Sequence, residues 1–249
     1  MRMSQKTKNK MFVMRAIILA AGKGKRLGEI TQKVPKPMLR VAGENILEHN
    51  LRLLKRYGVK EVFINLHYLP KVIKSYFKDG TGVGLKINYS YEKKILGTAG
   101  GVKRIIENHG KQKWDENFIV IYGDNFYPWS YDLRKITRFH LKKGCLATIG
   151  LYRKKSEIHK SGVVILDNNK KVVRFIEKPQ KRDFKGVFIN TGIYILNKKI
   201  IDHLPRGFSD FGRGIFPDLI KKNFCVYGYI FNGDLIAVDT PKLYKRITS

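Results

Sequence analysis

No stretch of 18 consecutive apolar residues occurs in the sequence, so nothing in it reads as a membrane span or calls for a membrane partner. Cysteine is scarce. Cys145 and Cys225 are the only two, in separate apolar runs without metal-ligand spacing, which speaks for a reduced, cytoplasmic chain. Residues 1–13 lack the apolar core of a secretory signal and read instead as a disordered basic tail. Acidic residues are few: twenty stand against fifty lysines and arginines, a formal net charge of +30. Nucleic acid is the obvious partner for such a charge. Yet the lysines are spread through every segment, without a helix-turn-helix, RRM or zinc pattern. No specific nucleic-acid site is therefore expected; most of the excess is solvated surface, with salt-sensitive, sequence-independent affinity as a side effect.

At 249 residues the chain is long enough for one large α/β domain with a substantial core. It is organised around Arg15–Gly28. The apolar run Ala16-Ile17-Ile18-Leu19 reads as a buried parallel strand. It ends in Ala20-Ala21-Gly22-Lys23-Gly24-Lys25-Arg26-Leu27-Gly28, where glycines let backbone N–H groups approach an anion and basic side chains add countercharge. Pro35-Lys36-Pro37 follows, fixing one more lysine between residues of restricted φ. A P-loop is excluded, because Gly24-Lys25 is followed by Arg26. The dinucleotide fingerprint fits poorly: its third glycine comes one place late, and the next strand, Val62-Phe63-Ile64-Asn65, ends in an amide where that motif wants an acid. A glycine-rich turn that merely turns stays open.

Downstream, strands alternate with helices, the pattern of βαβ units. A helix is expected over 44–57, with Leu47, Leu51 and Leu54 on one face; strands are expected over 61–66, 86–91 and 117–122, and a second helix over 70–78. Thr98 is placed as the N-cap of a further helix, whose glycines Gly100 and Gly101 cost about 1 kcal/mol each relative to Ala. That cost makes sense where something flat must approach the backbone. Asp124, just past the strongest strand, stands where open α/β sheets bind ligands and could hold Mg²⁺; a plain turn-initiating Asp is the alternative. Ser130 or Asp132 caps a helix ending at Gly144, with His140 in its packing. Strands dominate from Cys145 onward, with a hairpin turn at Asp167–Lys170. Glu177 and Lys178, if extended, face opposite ways, so both serve one spot only if the strand bends, which Pro179 favours. Asp239 ends a strand expected over 235–238, before Thr240-Pro241; a helix-initiating turn explains it equally well.

Taken together, Leu19-to-Leu27 with Pro35-Lys36-Pro37-Met38 resembles the signature of the sugar-1-phosphate nucleotidylyltransferases. One departure is Lys25, where that family usually has Thr or Ser. Leu96-Gly97-Thr98-Ala99-Gly100, Gly123-Asp124, Ser161-Gly162, Glu177-Lys178-Pro179 and Asn190-Thr191-Gly192 resemble the family's further motifs in order, from Met14 to Tyr244. The resemblance implies a Rossmann-like mixed, mostly parallel sheet with flanking helices in a single domain over 14–249: a nucleotide-binding half (14–130) and a sugar-phosphate-binding half (131–249). It implies that Leu19, Ala20, Ala21, Gly22, Gly24, Arg26, Lys36, Thr98, Ala99 and Gly100 bind the nucleotide. Gly162, Glu177, Lys178 and Asn190 would bind the sugar phosphate, Asp124 and Asp239 would hold Mg²⁺, and Arg26, Lys36, Asp124 and Lys178 would carry catalysis. The implied substrates are an NTP and a sugar 1-phosphate, with the pattern nearest the mannose- and heptose-1-phosphate guanylyltransferase branch. Cytidylyl, uridylyl and thymidylyl transfer, and a non-catalytic nucleic-acid-binding homologue, remain alternatives; a homo-oligomer stays open. The chain ends where many members begin a β-helix, so no hexapeptide-repeat domain is expected.

Overall fold

The computed structural model describes residues 14–154, 158–180 and 187–248; the basic tail expected over 1–13 lies outside them. The chain opens with β1 (Ala16–Leu19), a hairpin of β2 (Arg40–Val41) and β3 (Glu44–Asn45), and α1 (Ile46–Arg56). Then come β4 (Glu61–Leu66), α2 (Pro70–Phe77), β5 (Lys86–Tyr91), α3 (Gly97–His109), β6 (Asn117–Tyr122), β7 (Asn125–Phe126) and α4 (Leu133–Lys143). The second half holds β8 (Ala147–Tyr152), β9 (Gly162–Leu166), β10 (Val172–Glu177), β11 (Phe188–Asn197), α5 (Phe216–Lys221), β12 (Val226–Ile230), β13 (Ile236–Ala237) and α6 (Pro241–Thr248).

A nine-stranded mixed sheet carries the molecule, with the order β10-β9-β11-β6-β1-β4-β5 and with β8 and β12 branching from β11. The block β5-β4-β1-β6 is parallel, and β11 joins β6 antiparallel. Because β1 pairs with β4 on one side and β6 on the other, the connections leave it in opposite directions. Their carboxyl ends open a crevice there, the usual ligand position in such sheets.

Both faces of β1 are buried, as its unbroken apolar run requires. Ala16 and Ile18 pack with α1 and α2 residues such as Leu47, Leu51, Leu54 and Ile73. Ile17 and Leu19 point the other way, to Val102, Ile105 and Ile106 of α3 and to Phe216. A third, smaller cluster joins Leu27, Leu39, Val41, Ile46 and Val238, and it ties the glycine-rich turn to the end of the chain.

The expected helix over 44–57 starts later, at Ile46, because Glu44 and Asn45 pair with Val41 and Arg40 in the small hairpin. Asp132, not Ser130, caps α4, accepting from the Arg134 N–H. The strand expected over 235–238 shortens to Ile236–Ala237. Among the described residues, no helix is long and apolar enough to cross a membrane.

Candidate active site

The turn after β1 forms the floor. Gly24 is left-handed at φ 63°, and an added Cβ would press on Thr31 and Lys36 at 3.1 and 3.3 Å. Gly123 is required for another reason. Its N–H donates to Leu19 O at 2.9 Å, and a Cβ would lie 2.7 Å from Ile18 Cγ2. The ends of β1 and β6 are thus drawn together, which places Asp124 beside the glycine-rich turn.

Asp239 reaches the same place by strand pairing. β13 pairs with β7, Ala237 opposite Asn125, so the residue just before β7 and the residue two past β13 become neighbours. Buried Val238 packs with Leu27, which sets Arg26 near Asp239, at 3.2 Å. Between the two carboxylates sits Lys36. Its Nζ donates to Asp124 Oδ2 at 2.8 Å and to Asp239 Oδ1 at 2.7 Å. Burial of this side chain, only 6 % exposed, works against its charge, but the two carboxylates outweigh that and raise its pKa. Asp239 is likewise half-desolvated, yet the Lys36 ammonium holds its pKa below the ordinary carboxylate value.

These residues line two adjoining cavities of about 450 and about 180 Å³. Leu19, Ala20, Ala21, Gly22, Gly24, Lys36, Thr98, Asp124, Glu177 and Lys178 line the larger; Arg26 and Asp239 line the smaller, which shares Gly24, Lys36 and Asp124. Glu177 and Lys178 face one space because the strand breaks between them: Lys178 is left-handed, φ 51°, and its N–H donates to Ser161 O. For a residue with a Cβ this conformation costs about 1–2 kcal/mol. Burial first, then the nearby Asp210 carboxylate, push the Glu177 pKa up.

Several expected site residues differ in role or in place. Thr98 does not cap α3, whose N-cap is Leu96. Its hydroxyl donates to Asp210 Oδ2 at 3.0 Å and accepts from the Phe211 N–H at 2.9 Å. Ala99 and Gly100 do not line the cavity, since their N–H groups both donate to Ser209 O, at 3.0 and 3.2 Å. The bare face of Gly100 meets Gly207 O, 2.4 Å from where a Cβ would sit, so the flat object against this helix is the protein's own backbone. Asn190 turns away, donating from Nδ2 to the Tyr194 hydroxyl at 2.8 Å and accepting from the Gly192 N–H at 2.9 Å. Gly162 lies behind Glu177, whose Oε2 would be 2.8 Å from its Cβ.

The motifs left out Asn65, Phe208 and Arg213, all of which line the larger cavity. Buried Asn65 accepts from the Ala20 N–H at 2.7 Å and donates to Glu92 Oε1 at 2.8 Å. Glu92, 1 % exposed, accepts in turn from the Leu96 N–H, a chain of bonds that locks the floor to the start of α3. The one sequence signal for it was the amide at the end of β4.

A floor of main-chain groups with two carboxylates and several cations suits a phosphorylated ligand. The sequence profile described as nucleotidyl transferase matches residues 15–235. The chain belongs to that family. A UTP–glucose-1-phosphate uridylyltransferase of Synechocystis is 37 % identical over 92 % of this chain and 61 % of its own length. A mannose-1-phosphate guanylyltransferase of Mycobacterium tuberculosis is 34 % identical over 93 % and 62 %. The chain thus spans about three fifths of these two nucleotidyl transferases. A D-glycero-alpha-D-manno-heptose 1-phosphate guanylyltransferase of Campylobacter jejuni, 34 % identical, is matched over 97 % of its length and 93 % of this chain. The crystal structure of HddC from Yersinia pseudotuberculosis superposes with a TM-score of 0.77 at 25 % identity, covering 95 % of this chain and 98 % of that one.

Proposed function

We propose that the protein transfers a nucleoside monophosphate from an NTP to a sugar 1-phosphate and releases pyrophosphate. One observation carries this reading: Asp124 and Asp239, from opposite parts of the chain, share one cation beside the glycine-rich turn. That cation is the protein's own, the Lys36 ammonium. Oxygen donors converging on a positive charge, both side chains partly open to solvent, suit Mg²⁺, which keeps waters and substrate phosphates beside one or two carboxylates. Among the described residues no group of three or more His, Cys, Asp or Glu gathers to make a fuller protein cage. Bound there, Mg²⁺ would supply charge neutralisation to the reacting phosphates.

The chain's own residues divide the remaining work. Main-chain N–H groups of the turn face the triphosphate, while Arg26 and Lys36 neutralise it and the departing pyrophosphate. Lys178 holds the phosphate of the sugar substrate, and Glu177 accepts hydrogen bonds from sugar hydroxyls. A phosphate oxygen of the sugar 1-phosphate attacks the α-phosphorus in line. The bond from that phosphorus to the β-bridging oxygen breaks, and its electron pair leaves with pyrophosphate. Such chemistry needs orientation and charge stabilisation and no protein nucleophile. On this reading residues from about 14 to 130 serve mainly the nucleotide and those from about 131 to 249 mainly the sugar phosphate.

GTP with a mannose- or heptose-type 1-phosphate is our first choice, with the cytoplasm as the place of the reaction. The 37 % identity to a uridylyltransferase supports UTP with a hexose 1-phosphate as the second reading. Pyrophosphate release measured for four NTPs against mannose, heptose and glucose 1-phosphates, with Mg²⁺, tests both. Release for no pair would overturn the proposal, and the best pair decides between the readings.

A further inference from the structure

We propose that Phe208 is the platform on which the nucleobase of the NTP stacks. The inference rests on the nucleotide reading of the cavity given above and adds a residue that no motif marks.

Among the described residues, Phe208 is the most exposed of the large apolar side chains, at 69 %. Leaving a whole aromatic ring in water gains nothing for folding, and this one is not on a loose tip. Its backbone is fastened to the start of α3 through the next residue, Ser209. The Ser209 N–H donates to Leu96 O at 2.9 Å, and Ser209 O accepts from the Ala99 and Gly100 N–H groups. The glycines of that turn make room for it: a Cβ on Gly97 would lie 2.3 Å from Ser209 O and 3.3 Å from the Phe208 ring, and one on Gly100 2.4 Å from Gly207 O. Gly100, at a cost to the helix of about 1 kcal/mol, and Gly97, left-handed at φ 75°, thus serve to seat a short segment whose outward side chain is Phe208.

That side chain lines the larger cavity together with Ile95, itself 38 % exposed. The rest of the cavity wall has other uses. Its floor is main chain and cations fit for phosphates, and Glu177 and Lys178 supply polar groups fit for a phosphorylated sugar. Among the described residues that line the cavity, Phe208 and Ile95 are the large apolar side chains exposed to solvent, and the base is the flat, apolar-faced part of an NTP. Because every base has a π-face, such a stack adds affinity while tolerating base identity.

The test titrates the full chain calorimetrically, with Mg²⁺ and without sugar phosphate, with the NTP preferred in pyrophosphate release and with inorganic tripolyphosphate, which has no base. Phe208→Ala should weaken NTP binding about tenfold, the scale of one base–aromatic stack, and leave tripolyphosphate binding unchanged. Phe208→Trp should restore NTP binding. Equal NTP affinity in wild type and Phe208→Ala overturns the inference and leaves the proposed reaction standing. So does equal weakening toward both ligands, which would mark a structural role. If the wild-type chain binds no NTP, inference and reaction fall together.

Discussion

Lys36 Nζ lies 2.7 Å from Asp239 Oδ1, across 203 positions of sequence, and 2.8 Å from Asp124 Oδ2. Removing either carboxylate charge deprives the site of half of its cation-binding pair. Asp124→Asn and Asp239→Asn should each lower turnover by about 100-fold or more, the scale lost with one charge-stabilising group. Steady-state pyrophosphate release at saturating substrates checks this, and near-normal turnover in Asp124→Asn would remove it from the reaction.

Gly100→Ala sets two effects against each other. Helix propensity favours alanine by about 1 kcal/mol. Against this, the new methyl would stand 2.4 Å from Gly207 O, a backbone atom held by neighbouring hydrogen bonds, and overpacking of that kind costs about 1–3 kcal/mol. The clash wins, so the thermal midpoint should fall.

Lys178→Gly should move stability and activity in opposite directions. Relief of the left-handed strain contributes about 1–2 kcal/mol, and the greater freedom of glycine in the unfolded chain takes back about 0.5–1 kcal/mol. The variant should therefore melt slightly higher while its KM for the sugar 1-phosphate rises. A drop in both would show that the Lys178 side chain also supports the fold.

His140 makes stability depend on pH. It is 1 % exposed, held by Thr148 Oγ1 and Asn117 Oδ1 at 2.9 Å each, and burial lowers its pKa from 6.5 to about 4. The unfolded chain takes up a proton near pH 6.5 that the folded chain refuses until near 4. The contribution is thus fully present above pH 6.5 and is lost as pH falls toward 4, by at most about 3 kcal/mol. Urea midpoints across that range should fall less steeply in His140→Gln.

Much of this was legible in the sequence because it is local. The apolar runs at 61–66 and 117–122 and the alternating one at 86–91 fix their own limits, and these agree with β4, β6 and β5. Asp167 caps its own hairpin, accepting from the Asn169 and Lys171 N–H groups. What failed depends on distant partners. Thr98 reads as a helix cap until Asp210, 112 positions away, takes its hydroxyl. Asn190 differs in that its partners are near in sequence: its amide donates to the Tyr194 hydroxyl and accepts from the Gly192 N–H. Asn65 and Phe208 carry no motif at all, and only the packing of α3 against its neighbours gives them a place.

The fastening of Gly207–Ser209 to α3 has a consequence of its own. Every bond in that mount is made by main-chain atoms, so it does not depend on which side chain residue 208 carries. The bracket can stay in place while its fitting is exchanged, and recognition at this rim is free to change without a matching change in the scaffold.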